Sequence, residues 1–235
     1  MIYLSSDLHG FPLSVFQTFL VDSGFTRNDT LIVLGDVIDR NGDGGIAMLR
    51  WIMHEPHVHM ILGNHEALML SCTLILFPIT DHALSSYEDK HEQLLGAWLE
   101  NGGEPTMYTL HALNKTEPDT VHALFTYLKN LPLYRFLRIG SRRFLLTHAG
   151  LGHFQSDKAL KDYTARELLW NRPQLTDVYF TDIFTVFGHT PTIYYGPEYA
   201  DRMILTRTWA DIDTGASSGR NPMLLRLDDM KTFYL

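Results

Sequence analysis

Thr30-Leu31-Ile32-Val33-Leu34-Gly35-Asp36-Val37-Ile38-Asp39-Arg40 is the stretch that decides the fold: an apolar run, a glycine, then two carboxylates and a guanidinium. The run reads as a short buried strand, and Gly35 as the turn that ends it. The same grammar recurs on either side. Ile2–Ser6 leads into Asp7-Leu8-His9, and Val58–Leu62 leads into Gly63-Asn64-His65-Glu66. Helix signals lie between these strands. Pro12 suits an early helix position before Val15, Phe16, Phe19 and Leu20, and a second helix is expected from about Gly44 to Met53. Strands alternating with helices imply a sheet covered by helices on its faces. In such sheets ligands gather beyond the carboxyl ends of the strands, where Asp7, His9, Asp36, Asp39, Asn64 and His65 would meet.

Strand signals return at Leu133–Ile139 and Phe144–Thr147, joined by the turn-like Gly140-Ser141. More follow at Thr185–Phe187, Thr208–Ile212, Met223–Arg226 and Thr232–Leu235. Two of these runs end in further motifs, Thr147-His148-Ala149-Gly150 and Gly188-His189-Thr190-Pro191. The expected fold is therefore α/β, a two-sheet β-sandwich flanked by helices, in a single domain spanning 1–235. From about 67 to 130 there is no strong strand. Helical spacing appears over Ala67–Leu76, His91–Glu100 and Asp119–Lys129, with Asn101-Gly102-Gly103 as a stop. This segment reads as a helical, cap-like insertion beside the site.

Composition narrows the function classes. A chain of 235 residues with 45% hydrophobic and 20% charged residues is an ordinary globular protein. A net charge of −8 argues against a nucleic-acid partner, which calls for a basic face. It does not argue against a phosphorylated substrate, because bound divalent cations would dominate the local field. The single Cys72 excludes an internal disulfide framework and a cysteine-rich zinc site. Its apolar setting, Leu68 to Phe77, suits a buried small hydrophobe. The N-terminus shows no basic and apolar leader, and Met69 to Ile79 is too short to span a bilayer. A cytoplasmic protein with no membrane partner is expected; nothing in the chain speaks to oligomeric state.

Together the five motifs hold enough oxygen and nitrogen ligands for two adjacent divalent ions. Such ions, about 3.5–4 Å apart, need a bridging ligand, and the central carboxylate of Asp36 is the natural one. Asp7 and His9 would complete one ion; Asn64, His148 and His189 would complete the other. The donors are hard or borderline with no thiolate, which suits manganese, iron or zinc rather than a soft metal; manganese is the expected cofactor, with iron or zinc as alternatives.

Asp7-x-His9-Gly10, Gly35-Asp36-x-x-Asp39-Arg40 and Gly63-Asn64-His65-Glu66 resemble the signatures of calcineurin-like metallophosphoesterases. Within that family they are similar to the PPP branch of serine/threonine protein phosphatases, phage-lambda-type phosphatases and symmetrical diadenosine tetraphosphatases. The likeness extends to Trp98-Leu99-x-Asn101-Gly102-Gly103, Leu168-Leu169-Trp170-x-Arg172 and Asp213-Thr214-Gly215-Ala216. It implies a metal-dependent phosphoric ester hydrolase in which a water between two metal ions is acidified into a nucleophile. Arg40 and, by resemblance, Arg172 would bind the phosphate; a salt-bridging surface role is the alternative for Arg172. His65 would act as general acid, with Asp39 orienting it. The implied partner is a phosphorylated substrate. A phosphoprotein is favoured, and a dinucleoside polyphosphate such as diadenosine tetraphosphate is the alternative.

One departure stands out: Asn41 occupies a place where that branch usually has glycine, which bears on the aim of Arg40. His153 would line the rim or face water, Asp213 would support the site or shape a turn, and Asn101 would touch substrate or end a helix. His57 and His59 read as solvated or core-satisfied. Tyr87, Trp98, Tyr108 and Trp170 are the aromatics available for stacking a base, or simply for packing. A catalytically dead binding module on the same fold is the rival class, and the full ligand set argues against it.

Overall fold

The computed structural model describes residues 1–72 and 88–235. It begins with β1 (Ile2–Ser5), α1 (Leu13–Asp22), β2 (Thr30–Val33), α2 (Ile46–His54), β3 (Val58–Met60) and α3 (Asn64–Ser71). Then come α4 (Glu88–Glu100), α5 (Glu104–Thr116) and α6 (Pro118–Lys129). The remainder is β4 (Tyr134–Ile139), β5 (Arg142–Thr147), α7 (Ala165–Leu169), β6 (Phe184–Phe187), β7 (Ile204–Leu205), β8 (Trp209–Asp211), β9 (Met223–Arg226) and β10 (Lys231–Tyr234).

Two five-stranded sheets result, ordered β10-β9-β1-β2-β3 and β4-β5-β6-β8-β7. Strands β1, β2 and β3 run parallel, as do β5, β6 and β8, so the motif-bearing ends within each trio point the same way. Strand side chains alternate between faces, which assigns each residue to a layer. Leu4 and Ile32 meet Phe144, Leu146, Val186 and Ile212 between the sheets. Their neighbours Tyr3, Leu31 and Val33 face outward onto Phe16, Leu49 and Leu124. On the far side Leu145, Phe187 and Trp209 pack with Leu151 and Leu168. Each such fully buried aliphatic side chain contributes about 1.5–3 kcal/mol. The α/β sandwich flanked by helices matches the expectation.

Differences lie at element ends and have local causes. Strands β1, β2 and β3 end at Ser5, Val33 and Met60, one or two residues before the expected limits, and after β1 and β2 the backbone must already turn toward the left-handed Asp7 (φ 52°) and Asp36 (φ 53°). Gly44 and Gly45 form a turn rather than helix, and Asp43 caps α2 by accepting the amides of Gly45 and Ala47. Helix α3 starts earlier than expected, at Asn64; the part of Ala67–Leu76 beyond Cys72 lies outside the described residues, as does Tyr87. Three elements were not anticipated individually. Helix α5 follows Gly103 with Pro105 in its first turn, α7 is five residues long, and β7 is a two-residue edge strand. Trp98, Leu110, Val121, Leu124, Phe125 and Leu128, from α4 to α6, share one core cluster with the outer face of β1 and β2. Cys72 is buried. No helix among the described residues is long and apolar enough to cross a membrane.

Candidate metal centre

The six expected ligands lie just past strand ends: Asp7 and His9 after β1, Asp36 after β2, Asn64 after β3, His148 after β5 and His189 after β6. Backbone bonds join the first two loops. The Asp7 amide donates to Gly35 O (3.1 Å) and the His9 amide to Asp36 O (3.0 Å). The loops turn sharply, and the turning residues carry the chemistry. Asp7, His9, Asp36, Asp39, Arg40 and His189 all have φ between 42° and 75°. A non-glycine residue held there costs about 1–2 kcal/mol, so strain is concentrated at this site. Gly188 is required by close approach, since a Cβ there would lie 2.1 Å from Ser6 Oγ and 2.2 Å from Asp7 Oδ2.

Asp36 is central. Its Oδ2 is 3.4 Å from His148 Nε2, 3.6 Å from His9 Nε2 and 3.8 Å from His65 Nε2. Asn64 Oδ1 is 2.8 Å from both His148 Nε2 and His189 Nδ1. His9 Nδ1 and His148 Nδ1 face the carbonyls of Ile38 (3.0 Å) and Leu34 (2.7 Å). As donors to those carbonyls they leave each Nε2 turned toward Asp36, the orientation a metal ligand needs. Ligand-capable atoms of His9, Asp36 and His65 lie within 4.8 Å of one another, and so do those of Asp36, His148 and His189. Asp36 is common to both groups, as a bridge would be.

The donor set fits divalent cations on a second ground. Asp7 Oδ1 and His189 Nε2 are buried without a hydrogen-bond partner among the described residues, a state native proteins avoid unless a bound species satisfies it. Burial also sets the protonation. It drives the His9 imidazole down to about 3 and His189 to about 2, the neutral, ligating form. Burial likewise lifts Asp7 to about 6. For His148 burial opposes charge, but Asp36 and Asp7 outweigh it and raise the ring to about 10.

Beside this cluster His65 Nδ1 lies 2.7 Å from Asp39 Oδ2. Burial disfavours the imidazolium of His65, yet Asp36 and the bond to Asp39 leave it raised. Asp39 is itself held from two helices, by the indole of Trp98 and the hydroxyl of Thr106. Glu66, fully buried, accepts four backbone amides: Asp36 (3.0 Å) and Gly63 (3.1 Å) on Oε2, Val37 (2.8 Å) and Ile38 (3.2 Å) on Oε1. Burial and Asp36 push its carboxyl up to about 7, against the pull of those amides.

A cavity of about 120 Å³ opens above the cluster, lined by Arg40, Asn101, Trp170, Arg172, Tyr194 and Asp213 among others. Asn41 does not misdirect Arg40. Its side chain ties the loop down by donating to the carbonyls of His9 (2.9 Å) and Ala216 (3.2 Å), while the Arg40 amide donates to Gly102 O. Arg172 Nη1 donates to Thr190 Oγ1 (3.1 Å). Asp213 both lines the cavity and accepts the Gly215 amide, so it shapes the turn as well. Asn101 lines the cavity while donating to Ala97 O in the last turn of α4. Trp98 is buried and bonded, hence no stacking surface, whereas Trp170 is 40% exposed at the mouth. His153 is exposed beside Glu167, and neither His57 nor His59 is buried.

The calcineurin-like phosphoesterase family model matches residues 1–212. The chain belongs to this family. It is accordingly a metal-dependent phosphoric ester hydrolase. Among solved structures, similarity covers all of this chain and 92% of a candidate diadenosine tetraphosphatase, at 17% identity and a TM-score of 0.65. A protein serine/threonine phosphatase from Saccharomyces cerevisiae is matched over 79% of its length (15%, TM-score 0.55), and a metallophosphoesterase from Sphaerobacter thermophilus over 89% (13%, TM-score 0.54). At these identities the likeness speaks for the fold. No significant match was found among curated proteins.

For this phosphoesterase, motif reading missed the roles of Glu66, Thr106 and Tyr194. Glu66 belongs to the Gly63–Glu66 motif, but three of the four amides it accepts, those of Asp36, Val37 and Ile38, lie 28 to 30 residues away. Thr106 carried no signal, since a threonine in a helix is unremarkable until its partner is known. Tyr194 gave none either.

Proposed function

We propose that this phosphoesterase holds two divalent ions, manganese in the first place, and hydrolyses phosphate monoesters, with phosphoproteins as substrate class. The central position of Asp36 carries the reading: its carboxylate faces three imidazole Nε2 atoms at 3.4–3.8 Å. In this reading Asp7 and His9 hold one ion with Asp36, and Asn64, His148 and His189 hold the other. When bound, the ions supply an activated water and neutralise phosphoryl charge. His65 is the proton donor to the leaving oxygen, since Asp39 engages its Nδ1 and favours the protonated ring. Arg40 and Arg172 at the mouth clamp the phosphoryl oxygens with planar donors.

The cavity supports a protein substrate. At about 120 Å³ it accommodates a phosphoryl group and little more, well below the roughly 300–1,000 Å³ of sites that engulf a whole small molecule. The body of the substrate therefore rests outside. A second reading, a symmetrical diadenosine tetraphosphate hydrolase, is favoured by Trp170 (40% exposed) and Tyr194 (71% exposed), which place two aromatic faces at the mouth for nucleobases.

The test is one competition assay on manganese-loaded protein with phosphopeptides and diadenosine tetraphosphate, using Asp36→Asn as control. Phosphopeptide turnover lost in the control supports the first reading, and preferential ADP release replaces it with the second. A purified protein that retains no divalent metal refutes both.

A further inference from the structure

The carboxylate of Asp39 is gripped from outside the motif loops. Trp98, in α4, donates its Nε1–H to Oδ2 (2.9 Å), and Thr106, in α5, donates its hydroxyl to Oδ1 (2.6 Å). His65 Nδ1 takes the remaining approach to Oδ2 (2.7 Å). Asp39 and Thr106 are fully buried, and Trp98 is 1% exposed. Packing alone would be met by any large apolar side chain at 98. An indole instead aims its one donor at a buried carboxylate, and a threonine beside it does the same. With donors on both oxygens the carboxylate cannot rotate away from the imidazole without leaving a buried group unpaired.

We propose that Trp98 and Thr106 are positioning residues for proton donation, acting through Asp39 on His65. The inference rests on the reading of His65 as the proton donor. In that step a hydroxide oxygen bonds to phosphorus as the ester P–O bond breaks, the proton leaves His65 Nε2 for the departing oxygen so that the alcohol leaves neutral beside hydrogen phosphate, and Nδ1–H stays bonded to Asp39. Loss of either donor lets Asp39 swing, and the ring loses both its tautomer and its aim. The helices before β4 thus support chemistry as well as packing.

Leaving-group dependence separates this role from a structural one, because a poor alkoxide leaving group needs the proton and p-nitrophenolate does not. Trp98→Phe and Thr106→Val should each lower kcat on an alkyl phosphate about tenfold, a fraction of the roughly 10²–10⁴ a general acid supplies, with under about twofold change on p-nitrophenyl phosphate. KM should hold, and Thr106→Ser should restore the rate. Independently of turnover, ¹⁵N spectra should show His65 losing its fixed Nδ1–H form in both variants. Equal losses on the two substrates, or an unchanged alkyl rate, overturn the proposal. His65→Asn is the reference. Selectivity there with none in the two variants sinks the positioning role alone, whereas no selectivity in His65→Asn sinks the proton-donor reading and this inference with it. Should Trp98→Phe fail to fold, the Val and Ser variants at 106 decide.

Discussion

Replacing Glu66 by glutamine is the most informative single change, because the two side chains have the same shape and differ only in what they accept. Each carboxylate oxygen of Glu66 takes two backbone amides, Asp36 and Gly63 on one, Val37 and Ile38 on the other. A glutamine has one accepting oxygen and turns an NH₂ toward the other pair. Whichever way it flips, two buried N–H groups are stranded; at about 1–3 kcal/mol each, the loss is about 2–6 kcal/mol. That is a large part of the roughly 5–15 kcal/mol a domain possesses. Two of the four amides belong to Asp36 and the residue after it, so the centre moves too, and manganese affinity should fall about ten- to a hundred-fold. The assay is urea unfolding of the metal-free protein at about pH 8, above the value near 7 to which burial lifts Glu66, followed by manganese titration of the folded variant. A Glu66→Gln protein within about 0.5 kcal/mol of the parent, with unchanged manganese affinity, would refute the reasoning.

Three further outcomes follow. Gly188→Ala puts a Cβ 2.2 Å from Asp7 Oδ2 and should displace that carboxylate; manganese affinity measured by titration should fall at least about tenfold, as for other disturbed ligand supports. Thr164→Ala removes the hydroxyl that accepts the Glu167 amide at the start of α7, and urea unfolding should register a loss of about 1 kcal/mol. Manganese binding should release protons near neutral pH and weaken as pH falls through about 6. Asp7 is raised to about 6 and His148 to about 10, and ligation requires both deprotonated. Calorimetry in buffers of different ionisation enthalpy checks this, and a binding constant flat from about pH 8 to 5 contradicts it.

Sheets and motifs were legible because both depend on short-range pattern. An apolar run of four residues ending in glycine reads as a buried strand wherever it occurs, and β9 is read to the residue. Helix α5 was harder, because its mixed polar sequence becomes a helix by packing Leu110 into the cluster shared with β1 and β2. The loss is greater at the site. The pairing of Asp39 with His65 can be guessed from two motifs, but its bond to Thr106 spans 67 residues and has no signature. Neither does a left-handed backbone at an aspartate, a histidine or an arginine. Propensity favours glycine there and admits asparagine, aspartate or histidine only as the minority case, so nothing in the pattern marks these positions as turned.

That strain has a structural counterweight, much of it on Glu66. Six residues of the centre adopt left-handed φ, at about 1–2 kcal/mol each. Against them stand eight bonds: the amides of Asp7, His9, Gly10 and Arg40 to neighbouring carbonyls, and the four buried amides on Glu66. At about 1 kcal/mol each these are of the same order as the strain. The loops can therefore hold their turned shape before any cation arrives, with Asp7 Oδ1 and His189 Nε2 left open for it. Half of the counterweight comes from one side chain, Glu66, which grips the loop backbone and is not itself among the proposed ligands. Removing it should relax the turns rather than merely loosen them, and the metal-free protein is where that relaxation would be measured.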